Sequence, residues 1–218
     1  MPRAIGPGTK SRIGARLRLD AFYSMKEELL QWRIDEPLRD MERCRERGRI
    51  LAFVKGLRLS AKLIYLLRTA LSDTGLQVSW GHLLDRDENI CSPECDVILH
   101  KPGWVERWDG SAEPVMDFRF VSCTAAVAVV SCKSLLDSVD DNLKAYCAQM
   151  QRYVKSVLLF AECCRPRKVR RLTGAAKRAG YAGLWYLYVL EEGSSEAEVD
   201  ESVWRDFLET LRGLAANV

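Results

Sequence analysis

The sequence predicts an α/β protein in which a mixed β-sheet is flanked by helices, and three observations lead to that fold class. Short apolar runs of strand length alternate with longer segments of helical spacing. The run 125–132 is almost wholly apolar, which is typical of a central strand covered on both faces. The order helix, three strands, helix, strand, helix, strand, helix implies right-handed strand–helix–strand crossovers and therefore parallel strand pairs.

The elements follow from the spacing of apolar residues and from turn signals. Residues 1–18, basic and rich in glycine and proline, are expected to form a flexible arm, and residues 19–50 a helical extension. Residues 51–218 would then be the α/β domain, with Gly48 and Gly56 bracketing a short link. Within it we expect helices over 59–71, 137–154, 167–179 and 201–214, a turn over 85–89, and strands over 76–84, 94–99, 125–132, 157–161 and 183–190.

The composition is that of a globular protein. Of 218 residues, 48% are hydrophobic and 29% are charged, and the apolar runs are too short to span a bilayer. The first residues are basic but have no apolar core, so we expect a cytoplasmic protein with no membrane partner. The cysteines lie mostly inside apolar segments, where reduced, buried thiols are the expected state.

The charges are separated along the chain. Seven basic residues and no acid lie between 165 and 178, whereas 191–209 is strongly acidic. Such a basic segment predicts a positive face that contacts a phosphate backbone, with DNA expected rather than RNA, although a solvated helix of no binding role has the same pattern. The basic residues are Arg165, Arg167, Lys168, Arg170, Arg171, Lys177 and Arg178.

Acidic and basic side chains lie at the ends of two of the predicted strands, 94–99 and 125–132. Because side chains alternate along a strand, Glu94 and Asp96 are expected on one face, and Ser131 and Lys133 likewise. Carboxylates in this setting can hold Mg²⁺, while a lysine orients water or stabilises charge on a phosphate. Ordinary solvated strand ends are the alternative interpretation.

Four short motifs occur in a recognisable order, and the last two lie on the predicted strands 94–99 and 125–132. They are Lys55-Gly56, the turn segment 81–89 beginning Gly-His, Asp96-Val97-Ile98-Leu99, and Ser131-Cys132-Lys133. Their order and spacing over residues 50 to 190 resemble the PD-(D/E)XK nuclease superfamily, and more narrowly an uncharacterised bacterial family within it. The resemblance implies a restriction-endonuclease-like fold and Mg²⁺-dependent nucleic-acid cleavage, often in bacterial genome defence.

The chain differs from that family at two positions where the family has catalytic acids. Ser131 stands where the family has an acid, and Ser60 lies near the position of the family's helix glutamate. Gln149 and Tyr153 match a pattern of RecB-like relatives, and on one helix they would share a face.

Two hypotheses follow from these departures. The first is a nucleic-acid-binding protein with a depleted metal site and weak or no cleavage, in which a partner protein could replace nucleic acid. The second is a Mg²⁺-dependent nuclease in which Glu94 and Asp96 hold the metal beside Lys133. Trp104 and Trp108, between the site strands, either stack on a base or cap the core.

Overall fold

A computed structural model describes residues 49–102, 105–107, 118–190, 197–199 and 201–216. Four α-helices lie in these ranges: α1 (Arg49–Ala70), α2 (Asp141–Met150), α3 (Val169–Arg178) and α4 (Glu201–Ala216). None of these helices is long and apolar enough to cross a membrane. The strands are β1 (Gln77–Leu84), β2 (Cys95–His100), β3 (Val105–Arg107), β4 (Phe118–Ser122), β5 (Ala126–Leu136), β6 (Ser156–Cys164), β7 (Leu184–Leu190) and β8 (Ala197–Val199).

The described strands form one mixed sheet in the order β3-β4-β1-β2-β5-β6-β7-β8. The strand β2 pairs antiparallel with both β1 and β5, while β5, β6 and β7 are parallel to one another. Two crossovers, β5-α2-β6 and β6-α3-β7, connect the parallel strands, as the alternation of strand and helix patterns predicted. The sequence expectation of a mixed sheet flanked by helices is therefore confirmed.

Each face of the sheet is covered by its own pair of helices. On one face, α1 and α4 contribute Leu63, Leu67 and Phe207 to a first hydrophobic cluster. On the other face, α2 and α3 contribute Leu143 and Leu172 to a second cluster. The middle of β5 has neighbouring strands on both sides and buried side chains toward both clusters, which is the central position that its apolar run predicted.

Several boundaries differ from the sequence expectation. Gly56 lies inside α1 and not in a link, because ten residues before 59 continue the helix back to Arg49. The segment 137–154 is helical only over Asp141–Met150, since Asp140 caps the helix start and turns follow Met150. The short strands β3, β4 and β8 were not predicted. The basic arm, residues 19–48 of the extension, Trp104 and Trp108 lie outside the described residues.

The topology brings several strand ends together at one edge of the sheet. Strands β5 and β6 end side by side, with Leu136 opposite Cys164, and the antiparallel β2 begins toward the same end. Helices α2 and α3 start at this edge and run back to the opposite one, because each returns the chain to a parallel strand. Residues at the start of β2, at the end of β5 and just after β6 therefore lie toward one edge, which we call the site edge.

Candidate functional site

The site edge is shaped by an irregularity between β1 and β2. Ser79 pairs with Ile98 and Gly81 with Cys95, so β2 contains one more residue than β1 over this interval. Gly81 has a φ of +147°, and a Cβ there would collide with the backbone carbonyl of Arg119 on β4. A side chain at residue 81 is thus excluded by both conformation and space. The extra residue interrupts the strict alternation that the sequence argument assumed for Glu94 and Asp96.

Asp96 joins β2 to β5 at this point. Its Oδ2 accepts a hydrogen bond of 2.8 Å from the backbone N–H of Cys132. Burial raises the pKa of the Asp96 carboxyl to about 6, the Cys132 N–H and the charge of Lys133 oppose that rise, and the charge of Glu94 adds to it. The structure therefore brings Asp96 and Lys133 within electrostatic reach of each other, as the sequence predicted.

Ser131 lies on β5 one residue past Val130, which pairs with Val97, and is almost fully buried, with 3% of its surface exposed. Its hydroxyl lies close enough to the phenol of Tyr181, a residue of the second cluster, to oppose the rise that burial causes in the pKa of that phenol. The Tyr181 O–H also donates to the Leu143 carbonyl at the start of α2, at 2.8 Å. Ser131 is thus part of a buried polar network that joins β5 to the loop after α3.

Glu94 and Ser60 lie toward the opposite face. The Trp80 Nε1–H donates to Glu94 Oε1 at 3.1 Å, and Trp80 packs in the first cluster beneath α1. Ser60, on α1, donates to the Gly56 carbonyl at 3.1 Å and contacts the thiol of Cys132. Cys132 belongs to the first cluster, whereas Tyr181, the partner of Ser131, belongs to the second. Ser60 and Ser131 therefore face different sides of the sheet.

The expectation that Gln149 and Tyr153 share a helix face is wrong, because α2 ends at Met150 and Tyr153 lies in the following turn. Gln149 is exposed, and the partly buried Tyr153 packs against the second cluster. Both residues precede the start of β6, at the edge of the sheet opposite Asp96 and Lys133. The structure does not bring them to the other candidate residues.

The seven basic residues divide into two groups. Arg165 and Lys168 are partly buried, and both bind Asp137, which directly follows β5, with Nε–Oδ1 and Nζ–Oδ1 distances of 3.2 Å. The remaining residues are exposed: Arg167, Arg170, Arg171, Lys177 and Arg178. Leu172 and Ala176 bury the opposite side of α3, so the basic side chains of this helix point to solvent.

The residues that organise this site come from distant parts of the chain. Tyr146, Tyr181 and Asp137 were not identified from the sequence, because aromatic and acidic residues in α/β proteins are common and no local motif marks these three. Burial raises the pKa of Tyr146, with the nearby Cys95 and Asp96 charges adding to the rise. Only the fold shows that Tyr146 and Tyr181 lie near Asp96 and that Asp137 lies beside Arg165 and Lys168.

The residues at the site edge fit Mg²⁺ poorly. A Mg²⁺ site in a protein uses hard oxygen ligands, usually one or more carboxylates. One Asp96 oxygen already accepts from Cys132, Glu94 accepts from Trp80, and Ser131 is buried near Tyr181. Within the described part of the chain, no group of three or more histidine, cysteine, aspartate or glutamate residues is placed to hold a metal ion.

The central antiparallel β1-β2-β5 unit, the parallel extension through β6 and β7 and the flanking helices define a restriction-endonuclease-like fold. Two solved structures share it: NucC of E. coli MS115-1 and NucC of P. aeruginosa ATCC27853, both in cAAA-bound form. The E. coli protein is 15% identical with a TM-score of 0.54, over 90% of this chain and 89% of that one. The P. aeruginosa protein is 14% identical with a TM-score of 0.52, over 85% and 92%. No protein-family model and no curated protein sequence matches the chain.

Proposed function

We propose that this protein binds nucleic acid, DNA in the first place, on the site edge of its restriction-endonuclease-like fold, and that it cleaves weakly or not at all. A role in bacterial genome defence is part of the proposal and rests on the PD-(D/E)XK resemblance. The protein retains Asp96 and Lys133 from the motif, and it carries a basic surface that starts at the same edge.

The observation that supports weak or absent cleavage is that Ser131 has no charge and is buried. An acid at this position would supply a second carboxylate beside Asp96, but Ser131 is neutral and 3% exposed, and it is buried near the Tyr181 phenol. A single carboxylate that already accepts a backbone N–H is a weak ligand set for a hard divalent cation. The pair that would hold the metal is therefore incomplete at these two positions.

The placement of the basic residues supports binding. Arg165 and Arg167 lie between β6 and α3, and Lys168 immediately precedes α3, so all three lie at the site edge. Arg170 and Arg171 lie in the first turn of α3, and Lys177 and Arg178 lie about 10 Å farther along the helix. A phosphate backbone that passes over Lys133 would meet the basic residues at the site edge before Lys177 and Arg178.

The alternative function is an active Mg²⁺-dependent nuclease in which Glu94 joins Asp96 as a ligand and Lys133 stabilises charge on the phosphate. The effect of the Glu94 charge on the pKa of Asp96 favours it, since the two carboxylates are close enough to interact. A ligand role would require Glu94 to give up or share its bond with Trp80.

The test is a binding and cleavage assay with linear and supercoiled duplex DNA, in Mg²⁺ or Mn²⁺, with and without the cAAA that both NucC structures contain. We expect DNA retention at low salt and little or no product. Cleavage that is lost in Asp96→Asn, in Glu94→Gln and in Lys133→Ala would establish the alternative. An absence of DNA and RNA binding at low salt would overturn the proposal itself.

A further inference from the structure

We propose that Asp137 is an internal counter-charge of the nucleic-acid-binding surface, which holds Arg165 and Lys168 in place at the site edge and must yield them to phosphate when nucleic acid binds. The inference rests on the proposed function. It assigns a role to a residue that belongs neither to the PD-(D/E)XK motif nor to the basic segment.

The geometry places Asp137 at the centre of this surface. It is the first residue after β5, four positions after Lys133, or about 13 Å along an extended strand. One oxygen, Oδ1, contacts both Arg165 Nε and Lys168 Nζ at 3.2 Å. The three side chains come from two neighbouring strand ends and the start of α3, so a single carboxylate gathers the cations nearest to the motif.

The exposure of the three side chains makes an exchange with phosphate feasible. Arg165 is 30% exposed, Lys168 34% and Asp137 43%, so solvent reaches all three. Ion pairs of this exposure contribute little to stability, because water and salt screen them. A phosphate can therefore replace the carboxylate of Asp137 without a large loss of folding free energy.

The expected consequence is that Asp137 limits affinity. In the wild-type protein, nucleic acid must displace a carboxylate before Arg165 and Lys168 contact phosphate, and the negative charge of Asp137 also repels the backbone. Asp137→Asn keeps the size and the hydrogen-bond acceptor but removes the charge. We expect the variant to gain about one effective phosphate contact. Such a contact steepens the plot of log K against log salt by ~0.9 and raises affinity about tenfold near ~0.1 M salt.

The experiment measures duplex-DNA affinity across a salt series for Asp137→Asn and for a matched control, Asp141→Asn. Asp141 is an exposed acid at the start of α2, on the same edge, and it binds Lys144 at 2.9 Å instead of the basic residues around α3. Both variants change the net charge by the same amount. We expect the tighter binding and steeper slope in Asp137→Asn, and at most a small change in Asp141→Asn.

The second arm tests whether Arg165 and Lys168 mediate the effect. In an Arg165→Gln, Lys168→Gln background, Asp137→Asn should change affinity no more than Asp141→Asn does in the wild-type background. Equal effects of the two aspartate variants, weaker binding by folded Asp137→Asn, or an undiminished effect in the double-glutamine background would each overturn the inference.

The same salt series separates this inference from the proposed function. If wild-type protein binds DNA and the basic residues set the salt slope, but Asp137→Asn behaves as its control, only the counter-charge role fails. If the wild-type protein shows no binding at low salt, the proposed function fails, and the counter-charge role fails with it.

Discussion

Asp96 shows how one residue can serve both the fold and the site. Its side-chain oxygen satisfies the Cys132 N–H, so the carboxylate substitutes for a strand carbonyl at the point where β2 begins. Backbone N–H groups inside a protein need such a partner, and a buried carboxylate without neighbours would be costly. The same side chain is also the acid that the sequence predicted for the candidate site, and it lies close enough to Lys133 for the two charges to interact.

The raised pKa of Asp96 gives a pH prediction for stability. Its pKa rises from 3.8 to about 6 on folding, mainly through burial, so the folded state binds the proton more tightly than the unfolded chain. This contribution is fully present below about pH 4 and is lost as the pH rises through about 6. It amounts to about 3 kcal/mol at most, since one pKa unit is worth ~1.4 kcal/mol.

Asp96→Asn retains an acceptor for the Cys132 N–H but carries no charge. We expect the variant to be more stable than wild type above about pH 7, and the difference to vanish toward about pH 4. Urea unfolding at a series of pH values measures it. Parallel stability curves for the two proteins would mean that Asp96 titrates at its ordinary pKa, and that its carboxylate is better solvated than the fold indicates.

A substitution at Ser131 tests whether this position can complete a metal site with Asp96. Ser131→Glu adds a buried carboxylate near Asp96, which should destabilise the metal-free protein by a few kcal/mol. Millimolar Mg²⁺ or Mn²⁺ should recover part of that loss, because two carboxylates can share the cation. Thermal unfolding with and without metal is the measurement.

Ser131→Gln is the matched control for this substitution, since it has the same size and no charge. A metal-dependent rise in Tm is expected for Ser131→Glu and not for Ser131→Gln or wild type. If Ser131→Glu folds and its Tm responds no more than that of Ser131→Gln, residue 131 does not point toward a site that it can complete with Asp96.

At the scale of elements, α3 separates a buried apolar side from an exposed basic one over only ten residues. Its sequence contains Gly174, and the Arg178 guanidinium lies 3.4 Å from where a Cβ at that position would be. A mid-helix glycine costs about 1 kcal/mol relative to alanine. A methyl group at residue 174 would make only an ordinary van der Waals contact with the Arg178 guanidinium.

The position of each cation along α3 predicts its share of DNA binding. Replacing Arg167, Arg170 and Arg171 by alanine should reduce the slope of log K against log salt by up to ~0.9 for each phosphate that the variant no longer neutralises. Lys177 and Arg178 lie toward the opposite edge, so their double alanine variant should change the slope less. A fluorescence-anisotropy salt series compares them. Equal slopes for the triple variant and wild type would remove α3 from the interface.

The elements that could be predicted from the sequence are those with a strong local signal. The apolar runs of β1, β2, β5, β6 and β7 and the spacing within α1 were sufficient, because burial of a strand or helix face leaves a regular pattern. Strands β3 and β8 have only three residues each, and β4 is held by parallel pairing with β1, a contact between residues nearly forty positions apart. Such pairing leaves no local pattern.

The candidate site was predictable in the same partial way. Asp96 lies near the start of β2 and Lys133 lies within β5, two strands with clear patterns, so their proximity could be expected from the sheet alone. The Trp80–Glu94 bond depends on an irregularity at Gly81, and the proximity of Ser131 and Tyr181 brings together residues fifty positions apart. The Gln149–Tyr153 interpretation failed because a helix end cannot be placed to within one turn from spacing alone.

At the scale of the whole molecule, the two faces of the sheet have different connections to the site. On the face of α2 and α3, the polar network of Tyr181 and Ser131 lies among apolar side chains. On the face of α1, a buried ion pair joins the helix to the sheet: Arg58 Nη2 lies 2.9 Å and 3.1 Å from the two carboxylate oxygens of Glu162 on β6. The pair fixes α1 against a strand that leads directly into the basic segment.

The Arg58–Glu162 pair yields the last prediction. Its side chains are only 4% and 2% exposed, so removing one partner leaves a buried charge. Arg58→Met alone and Glu162→Leu alone should each lower the free energy of unfolding by about 3–5 kcal/mol. The double variant removes both charges together and should recover most of that loss, because apolar residues of similar volume pack well in such places. Urea unfolding of the wild type, the two single variants and the double variant gives the coupling energy. If the double variant loses as much unfolding free energy as the two single variants together, α1 is held by other contacts.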